Sequence, residues 1–277
     1  MSNDFLTIQR RNSSGWFGGA ARIASITLAA VFVLGFGVSC GKKHDNRPSL
    51  MSDPRYKSWQ TYTHGRIRLF HAPKHQHESS FEEIATGYDR AVTKISQLLV
   101  IDSLPDTITI FYYTGPNQAL EMTDHSRPFA DSEAVYYWPA FSKGVSLTQY
   151  LLKRWSHVEP TNKFLWHGLV ALFDHAGENY HQTTVEYADD TLFIPLAKLA
   201  VDGAINSDIE RYQSAEAASF CAFLLARYGA VSLKTLYESP EQFLEFAPRF
   251  LQKPIDSLQA DWLAFARANA PGAVKKQ

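Results

Sequence analysis

The first clear pattern in the chain is the alternation Arg66-Ile67-Arg68-Leu69-Phe70. Successive side chains of a strand point to opposite faces, so Ile67 and Leu69 are expected inward and the arginines outward. The period then lengthens. Phe81, Ile84, Tyr88, Ala91, Ile95 and Leu98 recur at spacings of 3–4 residues, which predicts a long helix buried along that face. Ser80 and Glu83 supply a capping-box signal at its start. Thr107-Ile108-Thr109-Ile110-Phe111-Tyr112-Tyr113 is β-branched and aromatic, a strand signal stopped by Gly115-Pro116. Ala134-Val135-Tyr136-Tyr137-Trp138 predicts another strand, ended by Pro139.

From Val145 onward the spacing is helical. One helix is expected over Leu147 to Trp155 and a second over Phe164 to His175, and Pro195 sits early in a third apolar stretch. Ser207 with Glu210 caps a helix expected to end at Tyr228-Gly229, where glycine suits a left-handed C-terminal position. Ser239-Pro240-Glu241-Gln242 sets a cap, a first-turn proline and a capping glutamine in order. Asp256 with Gln259 opens the last helix, with Ile255, Leu258, Trp262 and Phe265 on one apolar face. The expected class is therefore α+β: a small N-terminal mixed sheet with a long helix, then a mainly helical C-terminal half.

Composition sets the bounds. With 277 residues, 45% hydrophobic and 13% aromatic, the chain can bury one substantial core. Its 27 Lys+Arg against 28 Asp+Glu leave the charge near neutral, and nothing in it points to a nucleic-acid partner, which would want a concentrated basic face. Before the domain, Arg10, Arg11 and Arg22 form a positive region, and Ile23 to Phe36 is an uncharged apolar run. That run falls short of the about 20 residues of a membrane span but suits the core of a secretory signal peptide. Gly37-Val38-Ser39-Cys40 resembles the lipobox of bacterial lipoproteins, in which the cysteine after the cut receives diacylglycerol; Gly37 stands where a branched aliphatic residue is usual. The resemblance implies a lipid at Cys40, with ordinary signal cleavage or a retained helical anchor as alternatives. Gly41 and Lys42 follow, with no aspartate beside the cysteine, which in such lipoproteins favours the periplasmic face of the outer membrane. The expected organisation is a signal peptide over 1–39, a flexible tether over 40–55, a domain over 56–270 and a tail over 271–277. The domain's sheet part covers about 56–140 and its helical part about 145–270. A lipid on Cys40 leaves Cys221 without a disulfide partner, and its apolar surroundings predict a buried structural thiol.

The order of elements from 56 to 268 resembles the peptidase MA-like (gluzincin) zinc peptidases. The resemblance rests on the segments "RIRLF", "TITIFYY" and "AVYYW", on "FLWHGLVALF", which is similar to the family's Trp-x-Glu-Gly-Leu-Ala-x-Tyr, and on "AEAASFCAFLLARYGAVSLKTLY" with "IDSLQADWLAFA". In that family the first active-site helix carries His-Glu-x-x-His. Two histidines at i and i+4 share a zinc ion, the glutamate is general base on the bound water, and a glutamate on the next helix completes the ligands. Here the matching stretch is Thr148-Gln149-Tyr150-Leu151-Leu152, and His167 stands at the place of the third ligand. Leu152 cannot bind a metal, Thr148 is a poor zinc ligand, and Gln149 cannot take a proton near neutral pH. No His-Glu-x-x-His occurs anywhere in the chain. Thr148, Leu152 and Trp155 fall at i, i+4 and i+7, so this face is expected to be packed. The resemblance thus implies a pseudo-peptidase without catalytic residues or cofactor.

Spacing also bears on the other candidate sites. His157, His167, Asp174, His175 and His181 cluster in sequence, but His167 and His175 are eight residues apart, roughly 12 Å along a helix, and cannot share one ion. A metal at His167 with loop ligands would make the protein an active hydrolase with an atypical site. His71, His75, His77 and Glu78 form a run that can bind transition metals loosely, read as a solvated loop. Glu186, Asp189 and Asp190 read as a solvated acidic turn. No nucleophile elbow, phosphate loop or dinucleotide fingerprint is present. Tyr136, Tyr137 and Trp138, with Tyr112 and Tyr113, fall on the strands that frame the substrate cleft in the family, so they are candidates to line a groove. The expected function is therefore an envelope lipoprotein binding a peptide or envelope protein through that surface, with a structural spacer as the plainer alternative.

Overall fold

The first strand, β1 (Gln60–His64), pairs antiparallel with β2 (Ile67–His71), with His64 opposite Ile67. Only Gly65 and Arg66 connect them, and Gly65 takes φ 55°, a left-handed conformation that glycine reaches without steric cost. The computed structural model describes residues 49–174, 179–201 and 210–270. The chain divides into residues 1–44, which include the expected signal peptide and Cys40 and lie outside the described residues, and 45–277. Among the described residues the fold is mixed α+β. One five-stranded sheet runs in the order β1-β2-β3-β5-β4, with β3 at Ile108–Tyr112, β4 at Phe129–Ala130 and β5 at Ala134–Tyr137. β2, β3 and β5 are parallel neighbours, and β4 closes the edge antiparallel to β5.

All five residues of β3 are buried, because the sheet is covered on both faces. One face carries Ile67, Leu69, Ile108, Ile110, Tyr112, Val135 and Tyr137 into the main core, with α1 (Phe81–Leu99) and α3 (Lys143–Trp155). The other carries Phe70, Phe111, Tyr113, Tyr136 and Trp138 into a second, aromatic core. That core is closed by Ala119 of α2 (Pro116–Thr123) and by Tyr56 and Trp59. Tyr56 shares a hydrogen bond of 2.9 Å with Tyr113, and the Arg55 guanidinium donates to the Met122 carbonyl at 3.0 Å. Single turns of 3-10 helix at Ser49–Ser52 and Pro54–Tyr56 precede β1. The part of the expected tether from 49 to 55 is therefore fixed to the domain.

On α1 the buried set is Phe81, Ile84, Tyr88, Val92, Ile95 and Leu99, whereas Leu98 is 37% exposed. The expected stripe drifts off the true one because 3.6 residues per turn moves the buried position by one within three turns. The capping box does not form. A 3-10 turn at Glu78–Ser80 runs directly into the helix, so Ser80 (φ −108°, ψ 5°) lacks the extended backbone of a cap and makes no side-chain cap bond.

The second half contains α4 (Lys163–Leu172), α5 (Tyr180–Asp189), α6 (Leu196–Leu199), α7 (Glu210–Glu238), α8 (Phe243–Phe250) and α9 (Ile255–Asn269). The acidic turn expected at Glu186 and Asp189 is helical and belongs to α5, started by Asn179, whose side chain accepts from the Gln182 N–H. Within α7, Gly229 breaks the helix at φ 80°, ψ 169°, a region essentially reserved for glycine, and helical backbone resumes to Glu238. The cap expected at Ser207 lies outside the described residues. α8 begins at Phe243, later than Ser239-Pro240 suggests, because its cap comes from far away in sequence. Buried Asn162 accepts the Phe243 N–H at 2.7 Å and donates to the Glu241 carbonyl at 3.1 Å. Asn162→Ala leaves both groups unpaired. A loss of about 2–3 kcal/mol is expected in urea unfolding, with the native fold kept.

Candidate functional site

The helix pair α3–α4 holds the positions that the peptidase resemblance singles out. The start of α3 is tied to the end of α4: the Gly144 N–H donates to the Asp174 carbonyl at 3.0 Å, and the Ser142 hydroxyl donates to the same oxygen. Gly144 lies so close to the Phe173 and Asp174 carbonyls that no side chain fits there. On the next turn Thr148 is 0% exposed, and its hydroxyl makes one long hydrogen bond, 3.4 Å, to the Phe173 carbonyl. Leu152 is 1% exposed within the main core, and Trp155 donates its indole N–H to the Leu99 carbonyl at 2.8 Å. The face at i, i+4 and i+7 is thus packed between α1 and α4. Gln149 and His167 are half-buried, and His167 stands edge-on to Trp166 with ring centres 4.9 Å apart.

The far end of α3 grips the β4–β5 hairpin. Lys153 donates to the Ala130 carbonyl at 2.8 Å and Arg154 to the Ser132 carbonyl at 3.0 Å. The Asp131 carboxylate accepts the Glu133 and Ala134 N–H groups and the Tyr136 hydroxyl. Edge strand and helix therefore form one fixed unit.

The candidate groove residues are enclosed. Tyr136 and Tyr137 are 3% exposed and Trp138 0%. Tyr136 stacks between Phe111 and Phe129, at 5.0 and 4.3 Å, in the aromatic core. Tyr137 faces the main core and donates to the Phe141 carbonyl at 3.0 Å. Trp138 packs edge-on to Tyr113 and Phe141. Strand alternation sends these neighbours to opposite faces, and both faces are covered. As they stand, none of the three lines an open groove.

The histidine run is not a solvated loop either. His71 and His75 are buried, and His75 packs on Phe81 and Tyr112, with its Nδ1 accepting the His77 N–H at 3.1 Å. Burial pushes the His75 pKa down, partly opposed by the Tyr113 backbone carbonyl. Among the described residues, no group of three or more His, Cys, Asp and Glu side chains is placed to hold a metal ion. Of the other candidates, His157 is exposed, His175 lies outside the described residues, and His181 bonds to the Ser219 hydroxyl at 2.9 Å. Cys221 is fully buried, and burial pushes its thiol up, as a structural cysteine requires.

Sequence patterning missed the most perturbed acid. Glu216, on α7, is 0% exposed; one oxygen accepts the Ile194 N–H at 2.9 Å, and the other has no partner among the described residues. Burial pushes its pKa up to about 8, and the Ile194 bond lowers it only in part. The available signal was a lone charge inside the small, apolar run Ala215 to Ala218. Compared with known proteins, the chain matches no family model, no curated protein and no solved structure.

Proposed function

We propose that this is an exported lipoprotein whose zinc-peptidase-like domain has lost catalysis and serves as a binding or scaffolding element of the cell envelope. The observation that carries this reading is the packed face of α3. Thr148 and Leu152, at the positions of the two zinc histidines, sit in the core with no ligand chemistry to offer. The surrounding order supports the peptidase likeness: a mixed sheet with an antiparallel edge strand, a long helix and α3 on one face, then α4 tied to α3. The β1 edge has no strand on its outer side among the described residues, and an extended peptide adds to such an edge through main-chain hydrogen bonds.

Zinc content tests the reading. Protein purified, exposed to zinc and desalted is expected to retain far less than one ion per chain, and His167→Ala to change nothing. One ion per chain, lost in His167→Ala, would replace this proposal with an active hydrolase using an atypical site. For the anchor, Cys40→Ser is expected to move the protein from the membrane to the soluble fraction of a bacterial host; retention on the membrane would remove the lipid from the proposal.

A further inference from the structure

The segment from Ser49 to Trp59 crosses the second face of the sheet without joining it, because the strand ladder begins at Gln60. Its backbone bonds run within the segment: the Asp53 N–H donates to Leu50, Tyr56 to Asp53, Lys57 to Pro54 and Trp59 to Tyr56. From Leu50 to Trp59 only Tyr56 is buried. Ordering such a segment costs backbone entropy at every residue, offset by one deeply buried ring and the partly buried Leu50, Met51 and Trp59. A stretch with so little apolar burial opens well before the strands beneath it.

The Tyr56 hydroxyl meets the Tyr113 hydroxyl at 2.9 Å, and Arg55 donates to the Met122 carbonyl at 3.0 Å from an exposed position. Tyr56 otherwise rests on Phe70 and Phe111, with ring centres 6.0 and 5.3 Å away. Trp59 rests on Phe70 and Tyr113, at 5.4 and 5.3 Å. What lies beneath is a continuous aromatic surface. Phe70, Phe111, Tyr113 and Trp138 come from β2, β3 and the residues that directly follow β3 and β5, all on one face of the sheet. Tyr113 offers a hydroxyl there. Trp138, edge-on to Tyr113 at 6.0 Å, carries an indole N–H that is fully buried and has no acceptor among the described residues. The segment therefore fills this face and leaves one of its donors unused. A buried N–H without an acceptor costs free energy that an incoming group with an acceptor recovers.

We infer that residues 49–59 are a releasable strap, and that the aromatic face beneath them takes a partner's peptide segment of the same chemistry: a tyrosine flanked by apolar side chains, with an acceptor for Trp138. The strap is the built-in competitor, so the partner binds the open form alone. An apolar face of this kind, once uncovered, is the sort of surface that marks a protein interaction site. The inference rests on the binding reading above and deepens it by naming the partner as an aromatic-bearing polypeptide.

Two measurements on the mature protein test it. In amide hydrogen exchange at neutral pH, the peptide covering 50–59 is expected to be protected on the order of a hundredfold less than the peptide covering β3. The second measurement follows a fluorescently labelled synthetic peptide running from Ser49 to Trp59. Tyr56→Ala in the protein removes the strap's buried ring and is expected to bind this probe about tenfold more tightly than wild type, with the protection of α1 unchanged. A probe carrying the same Tyr56→Ala change is expected to bind neither protein. Protection of 50–59 equal to that of β3 would overturn the strap. So would a Tyr56→Ala protein that keeps α1 protected yet binds the probe no better than wild type, or one that loses α1 protection, since the segment would then be core. Wild-type protein that self-associates as its concentration rises would show straps exchanging between copies and overturn a separate partner. One zinc ion held through His167 would overturn the peptidase-like reading and leave both strap measurements as they stand.

Discussion

Gly168→Val is expected to cost the domain about 3 kcal/mol or more, a large share of the stability of a typical domain. Gly168 lies where α4 crosses α7, and a Cβ there would stand 2.5 Å from the Ala217 carbonyl oxygen and 2.8 Å from Cys221 Sγ. The first obstacle is helix backbone, which cannot swing aside as a side-chain tip can. The facing residues are already small, Ala217, Ala218 and Cys221, so no trimming of α7 makes room. Relief requires the helices to part, which would open contacts around Leu165, Leu169, Phe220 and Leu224. Gly87→Ala on α1 is the control. That site is exposed with open space around it, so alanine there is expected to stabilise by about 0.5–1 kcal/mol. Urea midpoints of the two variants should move in opposite directions; equal shifts would contradict the α4–α7 crossing.

The second large effect depends on pH. In the unfolded chain Glu216 ionises near 4.5, whereas in the fold burial holds it to about 8. A folded pKa above the unfolded one means the native state binds the proton more tightly. The stabilisation linked to Glu216 is fully present below about pH 4.5 and is lost as pH rises through about 8, where the folded carboxyl finally gives up its proton. Each pKa unit corresponds to about 1.4 kcal/mol, so the rise from 4.5 to about 8 sets a loss on the order of 5 kcal/mol across that window. Glu216→Gln removes the titration while keeping the Ile194 bond. Its urea midpoint is expected to stay level from about pH 5 to 9 where the wild type falls, so that the variant is the more stable protein at the alkaline end. Parallel curves for the two proteins would show that Glu216 is not buried as described.

Periodicity carried most of the fold. Ile67, Leu69, Ile84, Tyr88, Ile95, Leu147, Leu258 and Trp262 are all buried where spacing puts them. What escaped follows from contacts that periodicity does not encode. β1 reads Gln-Thr-Tyr-Thr-His, an edge strand half in solvent, with no apolar alternation to find. The start of α8 is set by Asn162, about eighty residues upstream, and no local capping rule reaches that far. The packed face of α3 was legible, because Thr148, Leu152 and Trp155 share it. The state of the aromatic strand was not: Tyr136 and Trp138 look the same in sequence whether the second face of a sheet is open or covered. Here the cover includes Tyr56 and Trp59, from the start of the domain, where no strand or helix period is legible. Glu216 and His181 were overlooked for a related reason, since their partners are a backbone N–H at 194 and a serine hydroxyl on another helix.

That cover has a consequence for where the protein can act. Because the chain is fastened to the sheet from Ser49 onward, a lipid at the proposed Cys40 would be joined to it through residues 41–48, which lie outside the described residues. Eight residues span at most about 30 Å, so the lipid and the sheet would be held within that leash. A ligand held in the same membrane layer would meet the domain at an effective concentration on the order of millimolar, so even a weak site would stay occupied there. Loosening the Tyr56–Tyr113 contact would lengthen the leash by roughly ten residues and dilute that encounter. With the proposed lipid in place, the aromatic core would set a radius of action as well as a fold.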